Sequence, residues 1–240
     1  MKTKLIGQFA LAVIIIVAVT LVEGLLFTPE FRYRDVETVE DYVQYREARV
    51  QNSKVAQIFT VLFTVSLFFF FISLYQFCKI KNPEWAAAGV FFLPPFAGIM
   101  LLLNAMQMSV MPQLISMYHQ PEYQQAISML FSQFLPGTEN QAASIGNVVL
   151  IFLGIPALIF GLLLSQEQKL LKVTGILLAV SGIGFLGEYF SFSFALPGWL
   201  STILAFSSFI GLVISLILLS IIFLRKKSRE EVESRLNTNT

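Results

Sequence analysis

One cysteine and one histidine in 240 residues exclude several kinds of chemistry at the outset. A lone Cys78 permits no intrachain disulfide and no metal site built on thiolates. A lone His119 excludes a histidine-rich metal centre. The chain has no phosphate loop, no HExxH pair, no GxSxG elbow and no soluble domain. Charge is scarce too. Asp, Glu, Lys and Arg make up 13% of the residues, about half of the roughly 25% usual in soluble domains. The net charge of +1 carries no message about partners, and no nucleic-acid partner is expected. No metal or cofactor is implied.

What is abundant is apolar. The chain is 56% hydrophobic, with a mean hydropathy of +0.73. No soluble fold hides that much apolar surface, so lipid must solvate it. A bilayer core about 30 Å thick needs roughly 20 apolar residues in a helix. Six segments qualify: 5–27, 55–78, 86–108, 146–165, 170–190 and 198–224. The runs are continuous rather than alternating, which makes them helices and not barrel strands. The expected fold is an all-α, polytopic bundle of six transmembrane helices in one domain, 1–224, with a tail over 225–240. Lys2 and Lys4 before the first run resemble a secretory signal. The run is too long for one and ends in Glu23, Gly24 and Leu25 rather than a small-residue cleavage site, so it reads as a retained span.

Lys and Arg set the orientation. With the N-terminus inside, 11 of the 16 become cytoplasmic: Lys2, Lys4, Lys79, Lys81, Lys169, Lys172, Arg225, Lys226, Lys227, Arg229 and Arg235. The other five fall in one external loop, 28–54, and the external segment 109–145 has none. Both termini are therefore expected in the cytoplasm, in a plasma membrane.

The external segments carry structure of their own. In 28–54 the acids Asp35, Glu37, Glu40 and Asp41 precede the bases Arg46, Arg49 and Lys54, an order that complements a helix dipole. Val36, Val39, Val43 and Val50 fall near one face. This predicts a helix that can run straight into the second span. In 109–145, Pro121 suits a first helical position. Tyr123, Ala126, Ile127, Leu130 and Phe134 then recur at helical spacing, predicting an amphipathic helix lying in the interface. Thr138 with Gln141 looks like a capping box opening the fourth span's helix.

Four constellations bear on function. Glu23, Asn104, Gln107, His119, Asn147 and Glu188, with Tyr189, all fall in the outer third of the membrane or just above it. Ionisable groups in spans are functional suspects, and two carboxylates near one histidine could bind a cation or catalyse hydrolysis. Capping of helix ends is the plainer role. Six of seven methionines lie between Met100 and Met129. Such thioethers could ligate Cu(I), although methionine more commonly fills apolar gaps. Pro94, Pro95 and Pro156 interrupt spans three and four, as helix breaks do in transporters; kinks shaping the bundle are preferred. Gly154, Ala157 and Gly161, then Gly175 and Ala179, then Ser207, Gly211 and Ser215 line helix faces that permit close approach, within a compact bundle or a homo-oligomer. Gly182, Gly184 and Gly187 match a dinucleotide fingerprint literally but lie inside a span with no preceding strand.

The stretch 170–185, with Gly175, Gly182 and Gly184, follows Gly154 and Gly161 across a very short basic loop. In this it resembles a family of bacterial six-span membrane proteins of unknown function. The resemblance implies a bacterial cytoplasmic membrane location and no particular activity. The leading expectation is a non-enzymatic membrane protein that binds a small ligand or protein partner at its external face. The alternatives are a small-solute or cation transporter and an intramembrane enzyme using Glu23, Glu188 and His119.

Overall fold

In a computed structural model, the described residues are 3–26, 36–132, 145–167, 169–194 and 197–225; within the helices, 23–26, 48–56, 145–147 and 192–193 are described by backbone alone. They form eight helices and, among the described residues, no strand. These are α1 (Lys4–Leu26), α2 (Val39–Cys78), α3 (Pro83–Phe91), α4 (Leu93–Tyr118), α5 (Pro121–Ser132), α6 (Ile145–Ser165), α7 (Lys169–Ser193) and α8 (Gly198–Leu224). Six stretches are long and apolar enough to cross a membrane, with α3 and α4 forming one of them over Pro83–Tyr118.

The spans pack in chain order around a closed ring. α1 packs on α2, α2 on α4, α3 and α4 on α6, α6 on α7, α7 on α8, and α8 back on α1. α2 also reaches across to α6, where Phe71 stacks on Phe160 at 5.8 Å. Phe70, Phe71, Phe96, Phe160 and Phe223 are almost completely buried and fill the interior between α2, α4, α6 and α8.

α2 runs unbroken for 40 residues, about 60 Å at 1.5 Å per residue, twice the ~30 Å of a hydrocarbon core. The expected helix in 28–54 thus does continue into the second span. It starts where Thr38 and Asp41 form a capping box. The Thr38 hydroxyl oxygen accepts from the Asp41 N–H at 3.1 Å, and the Asp41 carboxylate accepts from the Thr38 N–H at 2.9 Å.

The prolines act unequally. Pro94 and Pro95 remove two successive N–H donors, and the helix ends and restarts at Phe92. α6 instead passes through Pro156 without a break, and α4 passes through Pro112 and continues ten residues beyond the expected end of span three, to Tyr118. The expected capping box at Thr138 and Gln141, Phe134, and the tail beyond Arg225 lie outside the described residues.

Glycine sets the spacing of α6 against α7. A Cβ on Gly161 would stand 2.3 Å from the Ala179 nitrogen, on Gly175 2.3 Å from the Ser165 nitrogen, and on Gly182 2.4 Å from the Leu158 nitrogen. These are backbone atoms, which cannot rotate aside. The next seam, α7 on α8, adds hydroxyls. Ser181 Oγ donates to the Ser208 carbonyl at 2.6 Å, and a Cβ on Gly184 would meet the Ser208 nitrogen at 2.7 Å. The small-residue faces noted in spans four to six are thus used within the chain.

Gly-to-Ala changes in exposed helices stabilise by about 1 kcal/mol. Gly98, with nothing within 4 Å of an added Cβ, should follow that rule. Gly161→Ala and Gly175→Ala should instead lower the melting temperature in detergent, and the comparison with Gly98→Ala measures the seam directly.

Candidate functional site

Where α2 and α4 project past the apolar spans, α5 folds onto them and closes a three-helix cap. Pro121 is its first residue, as its fixed φ favours. The cap has its own hydrophobic cluster, apart from that of the spans: Val36, Tyr42, Val43, Tyr45, Ile115, Ile127 and Phe131. Phe131 is fully buried, with its ring 5.4 Å from that of Tyr42 and 6.2 Å from that of Tyr118. In water, burying such a side chain contributes roughly 2 kcal/mol. α5, expected as an amphipathic helix, packs its apolar face on α2 and α4. Its buried stripe is the Ile127 and Phe131 pair, one turn apart. Tyr123 and Leu130 flank it, about 40% exposed.

Polar groups tie the cap at its rim. Arg46 Nε donates to the Tyr42 hydroxyl at 2.9 Å, and its guanidinium lies 5.0 Å from the centre of the Tyr42 ring. His119, capping the end of α4, places Nε2 2.6 Å from Glu47 Oε1 on α2. Both groups are substantially exposed, and such pairs contribute about 1 kcal/mol or less.

The candidate residues occupy separate places. Asn104 is buried on α4 and donates through Nδ2 to the backbone carbonyl of Gln57 on α2 at 3.1 Å. Gln107, three residues on, is exposed. Glu188 is half-buried on α7, and Ser208 Oγ of α8 donates to its Oε2 at 3.4 Å. Glu23 stands in the last turn of α1 and Asn147 in the first turns of α6; their side chains lie outside the described set. The described hydrogen bonds thus join three pairs, Asn104 with Gln57 and His119 with Glu47 between α4 and α2, and Glu188 with Ser208 between α7 and α8. Tyr189 stacks edge-on with Phe190 at 5.5 Å. Among the described residues, no three His, Cys, Asp or Glu side chains gather as a metal site. Met111 and Met117 pack into the cap, while Met106, Met108 and Met129 are exposed.

Sequence reasoning missed Gln57 as Asn104's partner and Ser208 as Glu188's. Gln57 lies inside what read as an apolar run, and Ser208 is one residue from the small-residue step at Ser207. Each is picked out by helix rotation, which spacing alone does not give.

Asp41 is the titratable group whose role is clearest. The Thr38 hydroxyl, then the Thr38 N–H, and lastly the Glu37 N–H hold its carboxyl below the ordinary aspartate value. A depressed folded pKa stabilises the cap above the unfolded value, and that contribution is lost as pH falls through the folded one. Protection of the 39–46 amides, measured against their intrinsic exchange rates, should therefore fall in acid below the ordinary aspartate range. Asp41→Asn should exchange faster at neutral pH and lose that acid dependence.

Comparison with protein-family models, curated proteins and solved structures finds no match to this chain.

Proposed function

We propose that this multi-pass protein sits in a bacterial cytoplasmic membrane with both termini inside, and that its cap is an external docking surface for a protein segment bearing basic and apolar side chains. The observation that carries this reading is the cap's separate hydrophobic core. A polar connection between spans needs no core, whereas a surface that must hold its shape for a partner does. On that frame Glu37, Glu40 and Glu122 are exposed, as are Tyr123, Leu130 and Met129, the last 69% exposed. Apolar side chains held out of a well-packed body favour association, and the acids favour a basic partner.

Charge supports the orientation. With both termini inside, the cytoplasmic side has eleven bases and five acids, and the outer side five bases and ten acids, counting Glu23 and Glu188 with the outer side. Positive charge on the cytoplasmic side is the rule for short loops. The transporter reading asks for a polar way through the bundle, but Phe70, Phe71, Phe96, Phe160 and Phe223 fill its interior. The enzyme reading asks Glu188 and His119 to share a site, but their hydrogen-bond partners lie on different helices.

Two measurements test these statements. In a Cys78→Ser background, Glu40→Cys should react with an impermeant maleimide in intact cells, and Ile80→Cys only after permeabilisation; the reverse pattern overturns the orientation. A photo-crosslinking amino acid at Met129 should give a discrete protein adduct, and one at lipid-facing Phe206 none. Converting Glu37, Glu40 and Glu122 to Lys should cut the Met129 adduct several-fold at unchanged membrane abundance. An adduct indifferent to that change, or no adduct, overturns docking.

A further inference from the structure

At the end of the bundle where α1 begins and α2 finishes, the two helices enclose an open groove of about 400 Å³. This is within the range of small-molecule sites, roughly 300–1,000 Å³. Phe9 and Phe69, stacked at 5.5 Å, form its deep end. Leu5 and Phe69 in its lining are both exposed on apolar stretches of their spans, so the groove opens sideways toward the bilayer. Phe69 lies nine residues before Cys78, about 14 Å of helix. The groove therefore runs from the span's end to about half the depth of a ~30 Å hydrocarbon core.

Its chemistry changes along that length. The deep part is aromatic and aliphatic. The shallow part holds Ser73 and Gln76. Ser73 Oγ donates to the Phe69 carbonyl at 2.8 Å. The exposed Gln76 amide has no hydrogen-bond partner among the described residues. A carboxamide at the edge of the hydrocarbon keeps two N–H donors available to a ligand. Lys79 follows on the same helix face, one turn further out. It is exposed, with its ammonium 5.3 Å from the Tyr75 ring centre and no carboxylate at ion-pair distance among the described residues. Lys4 stands exposed at the start of α1, between the lining residues Thr3 and Leu5 in sequence. Lys81, by contrast, is committed to Glu167 at 2.6 Å.

Apolar depth, then amide donors, then unpaired cations is the order of a phospholipid read from acyl chain to headgroup. We propose that this groove binds an anionic phospholipid. One acyl chain lies on Phe9 and Phe69, the Gln76 amide donates to an ester carbonyl, and Lys79, with Lys4, pairs with the headgroup phosphate and its added negative charge. A water-soluble ligand has no such way in, because the mouth faces lipid.

The test uses the full chain in mild detergent, with phosphatidylglycerol and phosphatidylcholine of matched acyl chains as probes and native mass spectrometry as readout. Phosphatidylglycerol should be retained at least fivefold over phosphatidylcholine. Lys79→Gln should erase that preference and Lys79→Arg restore it. Ser73→Phe, which fills the groove, should reduce occupancy by both lipids. Added phosphatidylglycerol should raise the melting temperature of the parent protein but not of Lys79→Gln, which separates lost binding from lost folding. Equal retention of the two lipids, or full occupancy in Ser73→Phe, overturns the proposal.

Discussion

Everything in this bundle depends on how closely helix backbones can approach. Lipid tails are as apolar as leucine, so water expulsion does not drive one span against another; van der Waals packing and interhelical hydrogen bonds must do it. Glycine supplies the approach at several junctions. Gly161, Gly175 and Gly182 bring α6 to α7, Gly184 and Gly211 bring α7 to α8, Gly7 seats α1 on Leu224 of α8, and Gly89 seats α3 on Phe160 of α6. Close contact also shortens the reach for hydroxyls, which is why Ser181 can donate to a carbonyl of the neighbouring helix. α6, α7 and α8 form the rigid side of the ring, and α1 and α3 lean on it through single glycines.

α2 is built on the opposite principle. It contains no glycine, and its inward face is a run of large side chains, with Leu67, Phe70, Phe71, Leu74 and Phe77 all buried. Aromatic contacts hold it, Phe71 to Phe160 and Phe77 to Phe223. The same helix then leaves the apolar layer and supplies Tyr42, Val43 and Tyr45 to the cap. No break separates the two halves, so any rotation of α2 in the bundle is also a rotation in the cap. Asn104 on α4, bonded to the Gln57 carbonyl, fixes the relation of α2 to α4 where the two packing regions meet.

The fold was legible in the sequence to the extent that lipid imposes it. Six apolar runs gave six spans, and the acids-first order from Asp35 gave the start of α2. Boundaries failed where polarity and helicity parted. Residues 109–118 include Pro112 and Gln113 and read as the start of a loop, yet they continue α4, where Ile115 packs with Ile127 and Phe131. The candidate residues were legible as a level but not as a set. Asn104 and Gln107 share a depth and stand only about 60° apart around the helix, yet the contact with α2 covers Asn104 and leaves Gln107 exposed. In a span apolar on all sides, no charge contrast tells a reader which face turns inward.

The two packing principles also explain where binding surfaces can occur. A glycine seam leaves no room for a ligand: at Gly161 and Gly175 even a methyl group would strike backbone. Bulky side chains hold helices apart and leave space between them, and the groove between α1 and α2 lies against the helix that has no glycine. The cap grows from that same helix, together with the end of α4 and with α5. The groove and part of the cap therefore belong to α2, and the glycine-lined helices serve as the frame that holds it.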